Sequence, residues 1–238
     1  MLRPVGWFLI AGLLGGGCSG NNSATPDGGT KGDGKAMIAD LGLALDGPGA
    51  CGPSTYPCAP YGTRNDEVAS NETFLAFADP GGFCKTHPDE KMDATTVRQM
   101  GFHSWYQWDS KCPTKKAKLA WFMVSAGWCG PCWKEIQAAS DQYRAGAIDD
   151  RVSIVEIVFE DDQHKPATAE WTKNLWIPKF NIPFPVLIDP AFKMGKYFNK
   201  EAVPFNMLVD LSTMKIYYQQ TGGDFKTIGE KIQAFLNK

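Results

Sequence analysis

The stretch from Lys118 to Cys132 constrains this chain more than any other. An apolar run, Leu119–Val124, leads through Ser125, Ala126 and Gly127 into Trp128-Cys129-Gly130-Pro131-Cys132. The run reads as a buried strand, and the residues after Cys132 place Ile136, Ala139 and Tyr143 on one face of a helix. Two cysteines two residues apart at a strand-to-helix junction form a redox arrangement with a physical reason. Cys129 falls at the helix N-terminus, where unpaired N–H groups and the macrodipole stabilise a thiolate. Thiols so placed drop from a pKa of ~8.5 into a range of about 3.5–7.5. Cys132, one turn further on, is placed to attack a mixed disulfide formed on Cys129. A zinc site would need two more ligands at matching spacing. No second Cys-x-x-Cys exists, and His87, His103 and His164 are scattered. An inert structural disulfide is the other alternative.

The downstream order has its own rhythm. Val152–Phe159 is almost unbroken apolar sequence, as for a strand buried on both faces. Thr168–Lys179 reads as helix, Pro185–Ile188 as strand, Ala191–Asn199 as helix, and Phe205–Leu211 with Lys215–Gln220 as a hairpin. Asp224 then caps a helix whose Phe225, Ile228, Ile232 and Phe235 share a face.

Trp128-Cys129-Gly130-Pro131-Cys132 resembles the thioredoxin active site, and its surroundings resemble the TlpA/ResA branch of extracytoplasmic thiol–disulfide oxidoreductases. The resemblance spans roughly Lys118 to Lys238. It implies an α/β, thioredoxin-like fold: a central mixed β-sheet flanked by helices, with a TlpA-like strand–helix insertion before the last hairpin. It implies that Trp128, Gly130 and Pro131 shape the active site. It also implies that Val203-Pro204 carries a cis-proline facing the disulfide, presenting backbone to a substrate segment. One position departs from the pattern. Thioredoxin has a buried Asp six residues before the first cysteine, and here that position is Met123. Glu135, three residues after Cys132, is within i,i+3 reach and matches the glutamate that follows the motif in ResA-like proteins. It is expected to tune or deprotonate Cys132, with Glu156 contributing from the central strand; a solvated surface glutamate is the alternative.

The N-terminus sets the compartment. Arg3, an apolar run from Val5 to Leu14 and Gly15-Gly16-Gly17-Cys18 describe a signal peptide over residues 1–17. The run is too short to cross a hydrocarbon core, which takes about 20 residues. Small residues before Cys18 resemble a bacterial lipobox, implying that Cys18 is lipidated; Gly15 stands where a leucine-like residue is usual. Ser19 after it points, by analogy with other lipoproteins, to the outer membrane facing the periplasm. Residues 18–50 are rich in Gly, Asp and small polar residues and read as a flexible tether.

Residues 51–117 form an extension ahead of the thioredoxin-like domain at 118–238. Export permits disulfides. Cys51, Cys58, Cys84 and Cys112 remain once the other three of the seven cysteines are assigned. They allow three connectivities, which the sequence leaves open; proximity favours Cys51–Cys58 and Cys84–Cys112. In TlpA-like proteins this region supplies an N-terminal hairpin that packs on the sheet. Its aromatics, Phe102, Trp105, Tyr106 and Trp108, are expected in the core rather than on a docking face. Glu160, Asp161 and Asp162 read as scattered surface polar residues, and no metal and no cofactor is assigned.

With 24 basic and 26 acidic residues the chain has a formal net charge of −2, which offers no field for nucleic acid. The expected function is a membrane-anchored thiol:disulfide oxidoreductase, a reductase of cysteine pairs in exported proteins. The resemblance implies clients such as apocytochrome c or copper-site assembly proteins, and a transmembrane electron donor. A DsbA-like oxidase or isomerase, or a non-catalytic thioredoxin-like binding lipoprotein, is the alternative.

Overall fold

The computed structural model describes Gly52 and residues 56–77, 97–106 and 117–238. The expected signal peptide, the tether, Cys18, Cys51, Cys84, Cys112, His87 and Trp108 lie outside the described residues.

Among the described residues seven strands make one sheet: β1 (Thr73–Phe77), β2 (Val97–Gly101), β3 (Leu119–Ala126), β4 (Val152–Glu160), β5 (Val186–Ile188), β6 (Phe205–Asp210) and β7 (Lys215–Thr221). Their order is β2-β1-β5-β4-β3-β6-β7. β3 is parallel to β4 and antiparallel to β6, so it lies at the centre with neighbours on both sides. Every residue of β3 is buried, and so is every residue of β4. The apolar runs follow from this, because both faces of these strands are covered. Ala120, Phe122 and Val124 enter one core layer, while Leu119, Trp121 and Met123 enter the other. Fully burying one large side chain such as Phe122 contributes about 1.5–3 kcal/mol.

The two layers are closed differently. On the Trp121 side lie α1 (Gly130–Arg144), α2 and α3 (Phe225–Leu236), which contribute Ile136, Ala139, Trp176, Phe180, Ile228 and Ile232. α2 has three consecutive parts: Ala169–Trp171, a π-helical Thr172–Trp176, and Ile177–Phe180. Pro178 accounts for the middle part. It lacks an N–H, and its ring crowds the carbonyl of Asn174 four residues earlier, so the helix widens there. On the Phe122 side there is no long helix among the described residues. Phe102, Trp105 and Tyr106 fill that layer instead, and Trp105 Nε1 donates to Ser153 Oγ at 3.2 Å. These three aromatics are core residues, as the sequence led one to expect.

Two expectations change. The helix expected over Ala191–Asn199 shrinks to a 3₁₀ turn at Lys193–Lys196. Phe192 adopts left-handed backbone at φ 51°, which breaks helical continuity. The buried Asp189 carboxylate then fastens the turn by accepting from the N–H groups of Lys193 and Met194 at 2.8 and 2.9 Å. The insertion is therefore a strand with one tight turn. The N-terminal hairpin, β1 with β2, does not pack on the sheet. It extends it, since Leu75–Phe77 pair antiparallel with Val186–Ile188 of β5. β5 would otherwise present an open edge.

Cys58 is disulfide-bonded. No helix among the described residues is long and apolar enough to cross a membrane.

Candidate active site

β3 ends at Ala126, and three residues carry the chain to Cys129, the N-cap of α1. The turn is forced close to its neighbour. A Cβ at Gly127 would lie 2.5 Å from the backbone carbon of Asp161 and 2.5 Å from the nitrogen of Asp162. Only glycine lets the loop after β4 approach so near. Gly127 N–H donates to Glu160 O at 2.8 Å, which closes the contact.

Cys129 and Cys132 are joined as a disulfide. Cys129 Sγ also accepts from Cys132 N–H at 3.2 Å, so the sulfur occupies the place of an N-cap acceptor. Pro131 stands in the first turn, where a missing N–H costs nothing. Cys129 is 3 % exposed and Cys132 fully buried, so the first cysteine is the one that borders solvent. A Cβ at Gly130 would meet nothing within 4 Å. Glycine is not demanded there by crowding; its effect is to leave the approach to the disulfide free of a side chain.

Trp128 is held in two ways. Its Nε1 donates to Glu160 Oε2 at 2.8 Å, and its ring stacks on His164 at 4.9 Å between centroids. His164 has left-handed backbone at φ 58°. Glu160, expected at the surface, is buried and pairs with Lys200 as well as Trp128. Neither partnership was anticipated. Glu160 ends a mostly apolar strand and lies 32 residues from Trp128, so no local pattern links them.

The Val203–Pro204 peptide is cis. It immediately precedes β6, whose Phe205 pairs with Val124 near the end of β3 that leads into the motif. Val203 packs against the core layer that contains Cys129 and Cys132. Pro204 O accepts from Gly222 N–H at 2.7 Å, which ties the proline to the end of β7.

Glu135 is buried, 3 % exposed, which sets aside the solvated-surface alternative. Its Oε1 accepts from Asn206 Nδ2 at 2.8 Å, and Asn206 Oδ1 accepts from Trp121 Nε1 at 2.6 Å. Burial pushes the Glu135 carboxyl up to about 7, partly opposed by the bond from Asn206. Asn206 was missed from the sequence. Its signal is a polar side chain inside the apolar run Phe205–Leu211. Among the described residues, no group of three or more His, Cys, Asp or Glu is placed to hold a metal ion.

Beside the motif opens a cavity of about 560 Å³, lined by Gly127, Trp133, Trp171, Leu175 and Lys179 among others. Trp133 and Leu175 are 37 % and 56 % exposed, and Lys179 Nζ lies 3.4 Å over the Trp133 ring.

No protein-family model matches the sequence, and no curated protein matches it. Solved structures do match, at low identity. A protein of Bacteroides thetaiotaomicron, provisionally assigned as a protein disulfide isomerase, is 18% identical with a TM-score of 0.51; the match covers 74% of this chain and 91% of that one. AhpC of Enterococcus faecalis is 11% identical, TM-score 0.50, over 73% of this chain and 92% of that one. The 2-Cys peroxiredoxin of Plasmodium vivax is 12% identical, TM-score 0.50, over 73% and 96%. These likenesses define the class: the chain has a thioredoxin-like fold. Within it, the Cys-Gly-Pro-Cys pair stands at the N-terminus of the first helix after the central strand, with a cis-proline one strand away.

Proposed function

We propose that this chain is a thiol–disulfide oxidoreductase working outside the cytoplasm, lipid-anchored through Cys18 at a bacterial membrane facing the periplasm, and that it reduces cysteine pairs in exported proteins. The observation that carries the redox reading is the Cys129–Cys132 disulfide at the N-cap of α1, with Cys129 slightly exposed and Cys132 fully buried. In that arrangement the thiolate of reduced Cys129 attacks a client disulfide. Cys132 then resolves the mixed disulfide, with Glu135 as the acceptor of its proton. Exposed Trp133 and Leu175 beside the motif favour a protein client, since apolar surface at a site of exchange suits a protein partner. Trp128, Gly130, Pro131 and the Val203–Pro204 segment shape the surface that the client meets. Apocytochrome c and copper-site assembly proteins remain the client classes that the motif resemblance implies, with a transmembrane electron donor restoring the dithiol.

The deciding experiment is a redox-buffer titration of the Cys129/Cys132 pair, read by Trp128 fluorescence and confirmed by alkylation mapping. A potential near that of thioredoxin, about −270 mV, is expected of a reductase. A value near about −120 mV would make the chain an oxidant of exported thiols and overturn the direction proposed. The anchor is tested separately: Cys18→Ser is expected to move the chain from the membrane to the soluble fraction.

A further inference from the structure

Glu156 is a buried acid that the exchange chemistry just described does not use. It lies in β4 directly opposite Met123 of β3, and Met123 lies directly opposite Asn206 of β6. Residues opposite one another across a sheet project to the same face. Glu156, Met123 and Asn206 therefore share the face that α1 covers, the face on which Asn206 holds Glu135. Glu156 is 0 % exposed. Among the described residues neither carboxyl oxygen of Glu156, nor Oε2 of Glu135, has a hydrogen-bond partner of normal geometry; the Ser125 hydroxyl and the Trp176 indole are the polar groups beside Glu156, and no lysine, arginine or histidine pairs with either acid.

We propose, resting on the redox reading above, that Glu156 and Glu135 form a coupled carboxyl pair on the sheet face that α1 covers, with Glu156 the member that stays protonated and Glu135 the member that exchanges with Cys132 and with solvent. An apolar residue at position 156 would continue the β4 run without a buried unpaired acid. Two carboxylates in one apolar layer with no cation cannot both ionise readily, so the pair retains a proton where exposed acids have lost theirs. Burial raises both, and the nearness of Glu135 raises Glu156 further. The groups that face Glu156 are Ser125 from β3, Trp176 from α2 and Glu135 from α1. On β5 its register partner is Val186, an apolar residue of the same core layer. Glu135 is thus the titratable carboxyl that acts on it.

The two acids differ in access. A Cβ on exposed Gly223 would lie 3.8 Å from Glu135 Oε1 and 3.6 Å from Pro204 Cγ, so Glu135 ends just under the surface while Glu156 lies deeper. In turnover, a client disulfide opened by Cys129 first releases one client sulfur as a thiolate, protonated from solvent. The Cys132 thiol then passes its proton to ionised Glu135 as its sulfur attacks Sγ of Cys129. The Cys129–Cys132 bond forms, the bond from Cys129 to the client breaks, and the second client sulfur leaves with the electron pair. That sulfur takes up the proton by way of Glu135. Glu156, neutral throughout, keeps a second negative charge out of the layer while Cys132 ionises. It acts through Glu135 and is a positioning residue.

The test is redox-difference infrared spectroscopy of the whole chain between pH 5 and 10, with the disulfide opened by dithiothreitol. No client is needed, so failure of this proposal is separable from failure of the proposed function, which the redox-buffer titration reads. In the wild type the protonated-carboxyl band is expected to titrate in two steps, as coupled sites do. Glu156→Gln should abolish the upper step and keep the lower, Glu135→Gln should abolish the lower, and the double variant should show neither. Two unchanged steps in Glu156→Gln, or a single step in the wild type, would overturn the pair. If Glu156→Gln does not fold, Glu156→Leu and the wild type carrying ¹³C-carboxyl glutamate read the same band.

Discussion

Glu135 stands one helical turn from Cys132. Its carboxyl is raised from 4.5 to about 7 by burial, so folding favours the protonated form. Stability from this group is full below pH ~4.5 and is lost as pH rises through about 7, on the order of 3 kcal/mol in all. Urea denaturation of the oxidised chain across that window is expected to show the decline, and Glu135→Gln is expected to flatten it. An equally steep decline in the variant would assign the effect elsewhere. Gly127 gives a second prediction at this scale. Its missing Cβ would meet backbone atoms of Asp161 and Asp162 at 2.5 Å, and backbone does not yield as a side chain tip does. Gly127→Ala should therefore cost about 1–3 kcal/mol, the range for overpacking. A variant as stable as the parent would mean that the loop after β4 moves freely.

The helices carry their own signals. α1 begins at a cysteine cap with proline in its first turn, and Gly146 at φ 65° follows its last residues. α3 begins at Asp224, whose Oδ1 accepts from the N–H groups of Lys226 and Thr227 at 3.1 and 3.2 Å. Asp224→Ala should cost about 1 kcal/mol by chemical denaturation, while Asp224→Ser should retain most of it. Equal losses in the two variants would mean that the cap bond is not what the position contributes. Such elements were legible in the sequence because caps, breakers and apolar spacing act within a few residues. The Asp224 cap and the Ile228/Ile232 face are where the spacing placed them. The helix expected at Ala191–Asn199 was not formed, because a buried aspartate two residues upstream held the backbone in a tighter turn.

For the molecule as a whole, the proposed exchange requires that Cys129 be reached while Cys132 stays sheltered. Cys132→Ser, reduced, is expected to trap mixed disulfides with disulfide-bearing clients, visible as bands that collapse on reduction. Cys129→Ser should trap none. Trapping by the second variant alone would invert the roles of attacking and resolving cysteine. The sequence by itself determined the central strand, the Cys-Gly-Pro-Cys turn, the helix it caps and the succession of strands after it. All are written in neighbouring residues or in a motif whose spacing is covalent. Tertiary structure decided which acids are buried and what surrounds them. The Asn206–Glu135 and Trp121–Asn206 bonds join residues 71 and 85 positions apart, and Trp128 meets Glu160 and His164 only because the loop after β4 folds over Gly127. It also placed β1 and β2 at the edge beyond β5 rather than on a face. Such pairings depend on which strands become neighbours, and that follows from burying the whole apolar surface at once rather than from any local run of residues.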